Sequence, residues 1–197
     1  MLTKSLPLSL ALQVSLATAI GNAIVSNRCP YDIWLWSVDQ GHSSPPIHIP
    51  ARTKYSEPLR SACSGCGASL KISKTDHLVA GQQTQFEYSI VGGNVWYDIS
   101  FVDCARGESA GNCPGHDKGL AIDSPEQACG KVHCAAGSYC PTQSYYVDLP
   151  KQKLGLEDPV FGCMGKGSDI DLYIKVCSDE TPLKRSLAGR ILLNDYA

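Results

Sequence analysis

Very little in these 197 residues is charged, and the charge is not clustered: 17 Lys and Arg stand against 19 Asp and Glu, a formal net charge of -2. With no run of like charge there is no electrostatic footprint for DNA, RNA or an anionic membrane surface, so those partners are excluded. No Asn-x-Ser/Thr sequon occurs, which removes N-linked glycosylation. No segment carries a sustained 3.6-residue apolar period, which argues against a helical domain. The histidines His42, His48, His77, His116 and His133 are scattered, with no serine elbow or cysteine nucleophile near them. Cys63-Ser64-Gly65-Cys66 has redox-pair or half-zinc spacing, but no second CxxC completes a site, so neither metal nor cofactor is expected.

What is present begins with the ends. Residues 1–19 carry Lys4, then a Leu- and Ala-rich stretch, then small residues up to Ala19, the order of a secretory leader. The stretch is broken by Ser, Pro and Gln and falls short of the roughly 20 apolar residues of a membrane span. At the other end, Lys184-Arg185 is a dibasic pair of the kind cut by kexin-type proteases, which would release residues 186–197. The expected mature chain is a single domain over 20–185, soluble, extracellular and monomeric. Export makes its ten cysteines disulfides: Cys29, Cys63, Cys66, Cys104, Cys113, Cys129, Cys134, Cys140, Cys163 and Cys177.

The body reads as all-β. Short β-branched and aromatic segments, separated by Gly, Pro, Ser and Asn, predict strands over 23–27, 31–38, 68–73, 83–91, 95–102, 145–149 and 170–176. The stretch from Cys104 to Cys140 is rich in Cys and Gly and predicts a disulfide-held loop region. The strongest local signal is QTQFEYSIVGGNVWYDISFV. Gly92-Gly93 makes a two-residue turn with positive φ, so that Val91 faces Asn94, Ile90 faces Val95, Tyr88 faces Tyr97 and Phe86 faces Ile99 on an apolar face. A slip of one residue destroys this match. The same register sets Glu87 opposite Asp98 and Ser89 opposite Trp96 on the polar face. Acids so opposed have Cβ atoms about 4.5–5.5 Å apart and repel. Either a cation or donor sits between them, or one pKa is raised. Such pairs serve glycoside hydrolysis, and they also occur on ordinary solvated faces. Trp34, Trp36 and Trp96 are candidates for a sugar-stacking platform and equally for the core or its rim.

Asn27-Arg28-Cys29 with Tyr31-Asp32-Ile33-Trp34, the Phe86–Asp103 stretch, Cys140-Pro141, Phe161-Gly162-Cys163 and the closing Leu172-Tyr173-Ile174-Lys175-Val176-Cys177 together resemble the thaumatin-like family. The short hairpin and the length are most similar to its small fungal secreted members, the antigenic or yeast-phase-specific proteins. The resemblance implies a flattened β-sandwich beside a disulfide-rich loop subdomain, with an acidic cleft lined by one Arg and four acids. Carried across, these are Arg60, Glu87, Asp98 and Asp103, with the last acid open among Asp148, Glu157 and Asp158. The residues after Asp103, Cys104-Ala105-Arg106, depart from the family pattern. The resemblance also implies a Cys29–Cys177 bridge and places the partners of Cys140 and Cys163 within 104–134. The function it implies is a non-catalytic secreted protein that binds β-1,3-glucan or meets a host as antigen or effector. The alternatives are a weak endo-β-1,3-glucanase using Glu87 with Asp98 or Asp103, and an inhibitor of a host protein.

Overall fold

The computed structural model describes residues 20–63 and 65–180. Ala19, Lys184, Arg185 and the two segments expected to be removed lie outside them.

Among the described residues, eleven strands form two sheets. β1 (Asn22–Asn27), β4 (Lys54–Pro58), β8 (Leu120–Asp123), β9 (Val132–Cys134) and β11 (Leu172–Val176) make the first sheet, in the order β4-β1-β11-β8-β9. The second contains β2 (Ile33–Val38), β3 (Ile47–Ile49), β5 (Gly67–Ser73), β6 (Thr84–Val91), β7 (Asn94–Ser100) and β10 (Phe161–Cys163), ordered β10-β7-β6-β5-β2-β3. Only β1 and β11 run parallel among these strand pairs.

Period-2 sequence decides which side of each strand is buried. In β5, Ala68, Leu70 and Ile72 point inward while Ser69 and Lys71 point out; in β7, Val95, Tyr97 and Ile99 point inward while Trp96 and Asp98 point out. The inward sets meet Val25, Leu120, Ile122, Leu172 and Ile174 of the first sheet in one core. Each such large side chain contributes about 1.5–3 kcal/mol by leaving water, before the entropy cost of ordering it.

The hairpin has the expected register throughout, from Gln85 opposite Ser100 to Val91 opposite Asn94. Gly92 and Gly93 both hold positive φ, 58° and 74°, the backbone of a type I′ turn. Five disulfides form: Cys29–Cys177, Cys63–Cys66, Cys104–Cys113, Cys129–Cys163 and Cys134–Cys140. The first closes the parallel β1–β11 pair just beyond Asn27 and Val176. Cys140 and Cys163 do reach back into the 104–134 stretch.

Two expectations are corrected. Residues 145–149 are not a strand: Tyr145 makes one isolated bridge to Ser100, then Leu149 takes a positive φ of 53° and Pro150, which has no N–H, opens the short helix α1 (Pro150–Lys153). The cysteine-rich stretch is not wholly loop, because β8 and β9 add to the first sheet.

Candidate functional site: an acid pair on the outer face of the second sheet

Register across β5, β6 and β7 assembles the site in rows. Ser69, Glu87 and Asp98 stand side by side; Lys71, Gln85 and Ser100 form the row on one side, and Gly67, Ser89, Trp96 and Gly162 the row on the other. All project away from the core. Beyond β7, Tyr145 is tied to the sheet edge by its N–H to the Ile99 carbonyl (2.9 Å) and by its carbonyl to the Phe101 N–H (2.7 Å).

The result is a groove of about 280 Å³ lined by Gly67, Glu87, Ser89, Trp96, Asp98 and Val160. The glycines shape it. A Cβ on Gly162 would lie 2.7 Å from Trp96 Cε3, so the indole packs closely against bare backbone.

Electrostatics single out the acid pair. Burial, reinforced by the Glu87 charge, pushes the Asp98 carboxyl up to about 8. Its Oδ1 is buried with no hydrogen-bond partner among the described residues. Burial also raises Glu87, but the Lys71 cation and the Ser69 hydroxyl oppose that shift. Lys71 is itself held by Gln85, whose Oε1 accepts from its Nζ at 2.6 Å. Of the two, Glu87 therefore ionises first, and Asp98 is the acid that keeps its proton near neutral pH. Tyr145 feels both: burial first, then Asp98, Asp158 and Glu87, push its hydroxyl up to about 12.

The other expected site residues are dispersed. Arg60 lies at the end of the sandwich, where its Nε donates to Asp39 and one guanidinium nitrogen to Glu57, each at 2.6 Å. Glu57 also accepts from Ser37 and Tyr55, so Arg60 anchors a network between the sheets, and the cation acting on Glu87 is Lys71. Asp103 follows the end of β7 and accepts the Gly81 N–H at 3.2 Å, bracing a loop. Of the three acids left open, Asp148 pairs with Lys153 and Glu157 with Lys151, both exposed, whereas Asp158 acts on Tyr145 beside the groove. Trp36 is buried and Trp34 stacks on His48 at 5.0 Å, leaving Trp96 as the tryptophan of the groove. Lys71, Ser69 and Tyr145 went unnoticed in the sequence. Lys71 and Ser69 were detectable as the outward positions of the strand that pairs with 83–91.

A flattened β-sandwich stapled by five disulfides, with half-buried acids on its outer face, defines a thaumatin-like protein. The comparisons agree. The model of the Blastomyces yeast-phase-specific protein family matches residues 10–177, and the chain belongs to that family. It is 31% identical over 160 residues to the antigenic thaumatin-like protein of Arthroderma benhamiae, covering 81% of this chain and 72% of that one. It is 30% identical over 125 residues to the secreted thaumatin-like protein calA of Emericella nidulans, covering 64% of this chain and 68% of that one. Among solved structures, the protein elicitor MoHrip2 from Magnaporthe oryzae shares the fold, with a TM-score of 0.59 and 22% identity over 80% of this chain and 99% of that one.

Proposed function

We propose that this is a secreted, non-catalytic carbohydrate-binding protein whose groove receives a neutral wall polysaccharide, with β-1,3-glucan as the ligand. Secretion is supported by the leader-like residues 1–19, by five disulfides and by a relative named as secreted. The observation that carries the binding reading is that two half-buried acids and the Trp96 indole line one groove. A sugar hydroxyl can donate to Glu87, and a ring face can lie on the indole. A neutral polyol adds no charge to a site where burial already disfavours charge. The groove is also small beside the about 300–1,000 Å³ of typical ligand sites, which suits one ring better than the several rings an endo-hydrolase spans.

One observation favours hydrolysis as the second reading. The environments push the two acids apart, leaving Asp98 protonated as a candidate acid and Glu87 as a charged nucleophile supported by Lys71.

Co-sedimentation with insoluble β-1,3-glucan, measured together with reducing-end release, tests both. The binding reading expects the wild-type protein to sediment without releasing sugar and the Glu87→Gln/Asp98→Asn protein to stay in solution. Turnover lost in the double variant would establish the glucanase. If the wild-type protein does not sediment and releases no sugar, the glucan ligand is wrong.

A further inference from the structure

The opposite face of the sandwich holds a second cavity, of about 250 Å³, over β8, β9 and β11, and its chemistry is the inverse of the acid groove. Its geometry follows from one register row on the outer face of the first sheet: Lys54, Ser26, Lys175, Ala121 and His133 lie side by side on five neighbouring strands. Neighbouring strands are about 4.8 Å apart, so Lys175 and His133 stand about 10 Å from each other with only the Ala121 methyl between them. That small side chain is the floor, and the chain after β11, Ser178-Asp179, closes one side.

The two carboxylates in the cavity are already engaged. Asp123 pairs with Lys175. Asp179 accepts from His133 Nε2 (2.8 Å), the Ser178 hydroxyl (2.9 Å) and the Ala136 N–H (2.8 Å). These bonds outweigh burial and hold its carboxyl below the usual range.

Two cations are not matched in this way. Arg28 spends one guanidinium N–H on the Ser178 carbonyl at 3.2 Å, and no carboxylate pairs with it or with Lys131 among the described residues. A guanidinium with donors to spare and a free ammonium, both lining a cavity with room for about one ring-sized body, form an oxyanion site.

We infer that this cavity binds a small ligand carrying a phosphate or a carboxylate, with Arg28 and Lys131 at opposite ends of the cavity supplying the positive charge that holds the oxyanion while the body rests over Ala121. The site is separate from the groove and does not depend on the glucan reading.

Titration of the disulfide-intact protein with inorganic phosphate and, in a parallel arm, with D-glucuronate tests it, followed by amide chemical shifts. The expected result is saturable binding in at least one arm, with shifts at Lys131, Val132, His133 and Ser178; the arm that saturates identifies the oxyanion. Lys131→Gln, an exposed change, and Ala121→Leu, which fills the floor without altering charge, should each weaken binding by about tenfold or more. Both variants should sediment with β-1,3-glucan as the wild-type protein does, whether or not the latter sediments. Absence of saturation in both arms, or saturation indifferent to both variants, overturns the site.

Discussion

Replacing Asp98 with asparagine should make this protein more stable at pH 8 and leave it almost unchanged at pH 5. In the folded state Asp98 keeps its proton up to about pH 8, against an ordinary value of 3.8. Between those limits the folded state holds a proton that the unfolded chain has released, so stability falls as pH rises and levels off above about 8. The slope for one such proton is about 1.4 kcal/mol per pH unit, so pH 5 to 8 spans about 4 kcal/mol. Glu87, also raised, adds loss of the same sign. Asp39 and Asp179, held below the usual range by their partners, act in the opposite sense, but below about pH 4 and outside this window. The introduced amide resembles the protonated acid in size and carries no charge to bury, so Asp98→Asn should remove most of the slope. Urea unfolding at pH 5, 6, 7 and 8 with disulfides intact measures it. Wild-type stability that is flat or rising over this range, or an Asp98→Asn protein with the wild-type slope, would refute the burial argument.

Gly162→Ala should drive the Trp96 indole off its glycine shelf, costing about 1–3 kcal/mol in denaturant unfolding and weakening glucan co-sedimentation. Removing Cys29–Cys177, which spans 148 residues, should cost about 5 kcal/mol on chain-entropy grounds, against about 2 for Cys63–Cys66 with its separation of 3; paired Cys→Ala variants compared by thermal unfolding give the order. Arg60→Met should lower the melting temperature by leaving Asp39 and Glu57 unneutralised, yet leave glucan co-sedimentation at the wild-type level, because its network lies apart from Glu87 and Asp98. Loss of co-sedimentation in a folded Arg60→Met protein would return Arg60 to the binding site.

Where the sequence was legible, a local rule acted without competition. Gly92-Gly93 supplied the turn, alternation supplied the faces, and only one register satisfied both, which brought Glu87 opposite Asp98 before any tertiary information entered. The cation beside them was harder to find. Lys71 reaches Glu87 only through the pairing of β5 with β6, whose connection, residues 74–83, is too long for turn chemistry to set the register. The family resemblance implied Arg60 instead, and two acids, Asp39 and Glu57, claim it. Tyr145-Tyr146 resembled a strand start, but Leu149 and Pro150 stop the ladder after one bridge. β8 and β9 were missed because three- and four-residue strands carry too few alternations to stand out among cysteines and glycines.

The central claim is that one groove, built on a half-buried acid pair, takes the sugar. Carbon-13 carboxyl resonances of Asp98 and Glu87, titrated from pH 4 to 9 with and without a soluble β-1,3-gluco-oligosaccharide, test it most directly. The account predicts an Asp98 midpoint near 8 in the free protein and displaced resonances for both carboxyls at saturating ligand. An ordinary Asp98 midpoint, or oligosaccharide that binds while both carboxyl resonances stay where they were, would contradict it.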